Sequence, residues 1–241
     1  MTGLQKALAG LALLAALIGG GTIGTAGIGH KFGLWQMPVA RLLLEYGFYG
    51  AAGGAALGVL TLLIALLRQR GGGAFGAILA IAAGAGAAYV PWTMHQKELT
   101  LPALHDISTD TQDPPAFVAL ANERANFENG AAYDSAAAAK QKEAYPDIAP
   151  LRSALPPDRL FAKALAAAKA LGWQIVAQSV EEGRIEATAV SEWFGFKDDI
   201  AIRIVADGAG ARLDMRSASR TGAHDLGANA DRVRAFLAGL R

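Results

Sequence analysis

Three long stretches nearly free of charge limit what this chain can fold into. Residues 7–29, ALAGLALLAALIGGGTIGTAGIG, carry no charged side chain; residues 42–67 carry only Glu45, and residues 74–92 carry none. A bilayer core of roughly 30 Å is crossed by about 20 residues at 1.5 Å each, so uncharged runs of this length are expected to be transmembrane helices. The first run follows Lys6, as in a signal peptide, but no clear A-x-A cleavage site follows it and two further spans do, so it reads as an anchor. The expected organisation is a membrane domain over 1–92, a proline-rich extended collar over 93–157, and an α+β domain over 158–241.

Loop charges set the expected orientation. Lys6, Arg68 and Arg70 lie at one end of the spans and Lys31 and Arg41 at the other, so the positive-inside rule favours a cytoplasmic N-terminus by three to two. Phe32, Trp35, Tyr46, Phe48, Tyr49, Tyr89 and Trp92 gather at the opposite interface. Three spans from an inside N-terminus place residues 93–241 outside the cytoplasm, in the periplasm of a cell whose inner membrane holds the spans. A net charge of +1 gives no electrostatic case for nucleic acid, and the lack of cysteine excludes disulfides and thiol chemistry.

Small residues recur every four positions in the spans: Ala16, Gly20 and Gly24; Gly50, Gly54 and Gly58; Gly76, Ala80, Gly84 and Ala88. Such stripes let helices approach closely. They read as packing of the three helices on one another, with a stripe left for a partner protein as the alternative. Gly19, Gly21 and Gly24 satisfy G-x-G-x-x-G, but inside an apolar span they lack the preceding strand that a nucleotide fingerprint needs.

In the polar part, DRLFAKALAAAKALG (158–172) has one apolar helical face. Short alternating runs follow at 173–179, 184–190, 199–206 and 211–219, then a helix that Asp225 is placed to cap. The order α-β-β-β-β-α predicts a four-stranded antiparallel sheet with helices packed on one face. A short helix over 136–144, capped by Ser135, is expected before it. The sheet's other face carries Arg184, Glu186, Arg203, Arg212, Asp214 and Arg216. That lattice reads as a solvated ladder of cross-strand pairs, with cover by the proline-rich segment, a partner or an anionic ligand as the alternative.

Three loops hold the candidate interaction or ligand residues. HDISTDTQDPPAF (105–117) offers His105, Asp106, Asp110 and Asp113. Asp106, Ser108 and Asp110 alternate as in an EF-hand, but the glycine and glutamate that such a loop requires are here Thr111 and Phe117. Turn chemistry is the expected use, in which Asp, Ser and Thr side chains bond to nearby backbone N–H groups; a different oxygen-ligand site stays open. A His–Asp pair for hydrolysis lacks a G-x-S-x-G nucleophile. SEWFGFKDD (191–199) places Trp193, Phe194 and Phe196 in one loop, either folded back as a cap on the sheet or offered to a partner or the membrane. RSASRTGAHDLGAN (216–229) sets Arg216 and Arg220 near a helix start that can hold an anion, unless Asp225 takes the same N–H groups.

The blocks LHDISTDTQDPPAF, AYPDI, GRIEAT, WFGFKDDIAIRI and RSASRTGAHDLGANADRVRAF, in that order, resemble the bacterial family known as domain of unknown function 1499, over about residues 104–237. That family is often preceded by membrane spans and carries no activity to transfer. The resemblance implies that residues 105–113 and 193–225 form one surface. The expected function is a non-enzymatic inner-membrane protein, without cofactor, whose periplasmic domain is a binding or assembly module, an accessory subunit of a membrane complex. Its expected partners are membrane lipids and a membrane protein. The alternative is a periplasmic domain for a lipid or anionic ligand, and a hydrolase comes third.

Overall fold

The computed structural model describes residues 2–68 and 72–240; Arg70, counted above for orientation, lies outside the described residues. Among the described residues three helices are long and apolar enough to cross a membrane: α1 (Thr2–Lys31), α2 (Met37–Leu67) and α3 (Ala74–Thr100). Each outruns the uncharged stretch expected for it, because polar helix formers such as Gln5, Lys6, Gln96 and Lys97 continue the hydrogen-bonded ladder beyond the apolar core. Pro38 sits in the first turn of α2, where its missing N–H has no intrahelical partner to lose.

The chain divides into two compact units. One comprises residues up to 96 together with 192–195; the other comprises 97–191 and the chain from 196 onward. In the helical unit the glycine stripe of α2 is used for packing between the spans. A Cβ on Gly54 would stand 2.7 Å from Ala12 O and 2.9 Å from Ala16 Cα of α1, and one on Gly50 would stand 3.3 Å from Gly19 Cα. Gly58 instead meets α3, where a Cβ would come within 2.9 Å of Ala77 O. Contact at this range brings backbone against backbone and leaves no room for a Cβ at Gly54 or Gly58. Large apolar side chains such as Leu14, Leu17, Leu63 and Ile78 point outward instead, as a surrounding of lipid requires.

The second unit is α+β. Its elements are β1 (Asp106–Ser108), α4 (Ala121–Arg124), a 3-10 turn (Ser135–Ala137) running into α5 (Ala138–Ala144), β2 (Leu151–Ser153), α6 (Pro157–Ala170), β3 (Gln174–Ser179), β4 (Arg184–Val190), β5 (Lys197–Asp207), β6 (Gly210–Ser219) and α7 (Ala228–Ala238). The sheet has six strands rather than the four expected, in the order β1-β6-β5-β4-β3, with β2 also paired to β6. β1 and β2 come from the proline-rich segment, which is therefore built into the sheet instead of forming a separate collar. Three residues each are too few to show an alternation in sequence.

The apolar face of the sheet, with Ile107, Ile185, Ile200, Ile202, Leu213 and Met215, packs under Leu160, Phe161 and Ala164 of α6 and Val233, Phe236 and Leu237 of α7. Trp173 stacks on Phe236 at 5.2 Å between ring centres. Each fully buried side chain of this size contributes about 1.5–3 kcal/mol, so this core carries most of the fold. The Asp225 carboxylate accepts from Gly227 N and Asn229 N, both at 2.8 Å, and starts α7. Leu226 precedes that helix in a left-handed conformation with φ 55°. The 3-10 turn is capped by Asp134, whose carboxylate accepts from Ala136 N, and not by Ser135.

Candidate functional site

The polar face of the sheet is buried under the strap formed by residues 113–133, so it is not the solvated ladder that alternation suggests. Glu186, Asp199 and Asp214 are completely buried, and Arg216 and Arg220 nearly so. Period-two alternation puts these side chains on one face, and the register lines them up: Thr188 opposite Asp199, Arg203 opposite Asp214, Ala201 opposite Arg216.

Two carboxylates hold the strap. Glu186 accepts backbone N–H bonds from Val118, Ala119 and Leu120 at 3.0–3.1 Å, and Arg184 donates to the same carboxylate at 2.5 Å. The strap thus enters α4 with its unpaired donors satisfied by a sheet residue. Asp199 receives Arg124 Nη1 and Arg220 Nε on one oxygen, both at 2.9 Å, and Arg220 Nη2 and Thr188 Oγ1 on the other at 2.9 and 2.7 Å. Arg220 also reaches Glu123 of the strap.

Arg124, 1% exposed, donates further to the carbonyls of Asn129, Gly130, Ala218 and Ser219. Burial presses its guanidinium below its ordinary pKa against the pull of Asp199, and it remains charged. The Phe117 ring lies 4.6 Å from the guanidinium carbons of both Arg124 and Arg216, a cation–π arrangement strengthened by the lack of water. Arg216 grips Asp106 through Nε at 3.0 Å and Nη2 at 2.7 Å and donates to Ala131 O of the strap. Tyr133, near this pair, has its phenol pushed up to about 12, first by burial and then by the Asp106 charge.

The 105–113 residues fall into this network. The backbone of His105 accepts from Ser219 N and Asn229 Nδ2. Asp106 and Ser108 lie in β1, and the buried Gln141 amide pairs with both Ser108 N and Ser108 O, extending the sheet edge with a side chain. Asp110 accepts from Gln112 N and Asp113 N at 3.0 Å and binds Arg212 at 2.9 Å; Asp113 binds Arg203 at 2.8 Å. Among the described residues no group of three or more His, Asp or Glu side chains is placed to hold a metal ion.

For Asp110, desolvation acts upward, but the two N–H bonds and the charges of Arg212 and Arg203 outweigh it and lower the pKa. A depressed carboxylate contributes stability above its unfolded value of about 3.9 and loses it as pH falls through the lower folded value. Asp110→Ala is therefore expected to cost about 0.5–2 kcal/mol at neutral pH, and less below pH about 4. The cost should be the same in calcium and in chelator. Melting the full chain in detergent under both conditions checks this; a calcium-dependent rise in Tm that the variant loses would make these carboxylates ligands.

Arg216 and Arg220, expected near an anion, are committed to Asp106 and Asp199, and Asp225 takes Gly227 N and Asn229 N at the start of α7. Asp214 accepts both Arg203 and Arg212 on Oδ2, while its buried Oδ1 has no protein partner. Arg203 also lines an open cleft of about 240 Å³, with Pro114, Pro115 and Arg184.

The aromatic loop divides. Phe196 closes its base, accepting from Ser191 N and donating to Ser191 Oγ. Trp193 and Phe194 belong with the helical unit, where Trp193 Nε1 donates to Gly24 O at 3.0 Å and His30 Nδ1 donates to Phe194 O at 2.9 Å. Sequence reasoning did not single out Arg124, Phe117, Glu186 or Asp199 as a cluster. The alternation of β4 and β5 puts Glu186 and Asp199 on the polar face, but nothing in ANERANFENG marks Arg124 as buried.

These features define an α+β domain, linked to three membrane-type helices, whose charged sheet face is closed by its own strap. The chain belongs to the family described as Protein of unknown function (DUF1499), whose model matches residues 106–240. No match was found among curated proteins or among solved structures.

Proposed function

We propose that the protein is a non-enzymatic integral membrane protein whose α+β unit is a binding or assembly module of the cell envelope, an accessory subunit of a membrane complex. One observation carries this reading. The acidic and guanidinium groups that sequence offers for chemistry are partnered with one another: Asp106 with Arg216 and Asp199 with Arg124 and Arg220 under the strap, and Asp113 with Arg203 at its exposed start. A carboxylate held by buried guanidinium donors is a poor general base, since its lone pairs are occupied by hydrogen bonds. Such a face gives the unit a rigid frame rather than a reaction centre.

Purification of the full chain in mild detergent, followed by mass spectrometry, tests the proposal. A stoichiometric membrane-protein partner is the expected result. A lone chain that carries lipid or a small anion would replace it with a ligand-binding domain, and turnover of an ester or phosphate substrate would replace it with a hydrolase.

The proposed location is the inner membrane, with the unit from residue 97 onward on the periplasmic side. The count of Lys6, Arg68 and Arg70 at one end of the spans against Lys31 and Arg41 at the other, three to two, supports this orientation. A reporter joined after α7 is expected to be active only if it is of the kind that works outside the cytoplasm. Activity of a cytoplasm-specific reporter there would reverse the orientation.

A further inference from the structure

Two tryptophans seat on the last turns of α1. Trp35 Nε1 donates to Ala26 O at 2.9 Å, and its ring occupies the space that a Cβ on Gly29 would need. Trp193, more than 150 residues away in sequence, donates Nε1 to Gly24 O at 3.0 Å, and its ring lies where a Cβ on Gly27 would stand. Phe194, 4% exposed, packs edge-on against Trp193 at 4.8 Å between ring centres. Lys31 Nζ donates to Glu192 O at 2.8 Å, so residues 192–194 are fixed to α1 through backbone and ring contacts.

The level of this seat along the helix can be reckoned. If the hydrocarbon begins at Lys6, a rise of 1.5 Å per residue brings its far boundary, about 30 Å on, to between Gly24 and Gly27. α2 gives the same level: about 20 residues back from Arg68 lies Phe48, flanked by the exposed Tyr46 and Tyr49. On α3 the exposed Tyr89 and Trp92 occupy it. Helix contacts tie the three scales together, since a Cβ on Gly47 would lie 2.7 Å from Ile23 Cγ1 and one on Gly20 would lie 3.2 Å from Ala87 Cβ. Indoles and phenols concentrate at the membrane–water interface because one end of the ring is apolar and the other hydrogen-bonds.

We propose that residues 192–195 lie in the lipid headgroup layer and that Trp193 is a member of the aromatic belt, held at that depth by the glycine seat on α1. The surface it forms is one for phospholipid headgroups rather than for a protein. This inference rests on the reading of α1 as a membrane span, and the experiment separates the two. The chain has no cysteine, so single spin labels are specific. Glu192→Cys is suited to a label because that side chain is fully exposed and Lys31 holds its backbone oxygen, and Leu17→Cys, 58% exposed in mid-span, reports the bilayer interior.

With the full chain in vesicles of phosphatidylcholine and phosphatidylglycerol, label collisions with oxygen and with a water-soluble nickel chelate are compared. At 17 oxygen is expected to dominate strongly; at 192 oxygen is expected to equal or exceed the chelate. Trp193→Ala, and separately Gly27→Leu, should each shift position 192 to chelate-dominated collisions while position 17 stays unchanged. Chelate-dominated collisions at 192 in the unsubstituted seat, with oxygen dominant at 17, would overturn the proposal and leave the span intact. No shift in either seat variant would also overturn it, and chelate dominance at 17 would remove the span itself.

Discussion

Asp199→Ala is expected to destabilise the α+β unit by about 3–5 kcal/mol, the cost of breaking a buried ion pair by removing one partner. The carboxylate is completely buried and accepts four bonds from Arg124, Arg220 and Thr188. Its loss leaves Arg124 and Arg220, 1% and 3% exposed, facing each other with Glu123, on Arg220, as the remaining bonded carboxylate. Arg124 keeps its carbonyl acceptors but loses its bonded carboxylate, and the strap loses one of its buried anchors on the sheet. For a unit of this size the Tm should fall by roughly 10 °C or more, and protease should cut within 113–133 sooner than in the parent chain. The double variant Asp199→Ala/Arg124→Ala should recover part of the loss, because it removes a stranded charge as well. Arg152→Ala breaks an exposed pair with Asp207 and should stay within about 0.5 kcal/mol. If Asp199→Ala and Arg152→Ala had similar small effects, the buried face would not be what fastens the strap.

Gly54→Leu is expected to disrupt the helical unit, with a cost of about 3 kcal/mol or more, at the upper end of overpacking effects. A side chain there meets Ala12 O and Ala16 Cα, atoms of the α1 backbone that no rotamer change can move aside. The helices must separate, and dispersion contacts along the whole seam weaken with distance. The neighbouring Gly53 is exposed and a Cβ there meets nothing within 4 Å, so Gly53→Leu should be close to neutral. Unfolding in increasing fractions of sodium dodecyl sulfate in mixed micelles compares the two. Equal effects would mean that the Gly50, Gly54 and Gly58 stripe does not pack on α1 and α3, and a Gly53→Leu variant that sheds a copurifying protein would place a partner on the outer face.

How much of this was legible depends on the kind of signal. The spans were, because lack of charge over 20 residues is a property of composition and needs no partner to be read. The alternation of Ile185, Ala187 and Ala189 with Arg184, Glu186 and Thr188 assigned each side chain to a face, since a strand fixes that locally. The capping role of Asp225 was legible for the same reason, the N–H groups that donate to it lying two and four residues ahead.

Which of the covers offered for the polar face is the right one, the proline-rich segment, a partner or a ligand, was not legible. Alternation tells which way a residue points and nothing about what meets it. The strap is bound to Glu186 through the N–H groups of Val118, Ala119 and Leu120, and a backbone N–H is the same whatever residue carries it. β1 and β2 join the sheet only because β6 offers an open edge, which three-residue segments do not announce. Trp193 and Phe194 could be marked as apolar surface in need of cover, but burial of apolar area is non-directional. Their seat on α1 is defined by the missing Cβ of Gly27 and the carbonyl of Gly24, which only the folded chain brings within reach of the loop. The sequence by itself thus determined the spans, the strand faces and the local cap, all interactions between near neighbours. The tertiary structure decided which distant segments neutralise the buried charges and which helix receives the aromatic loop, because backbone hydrogen bonds and apolar surfaces carry no address in sequence.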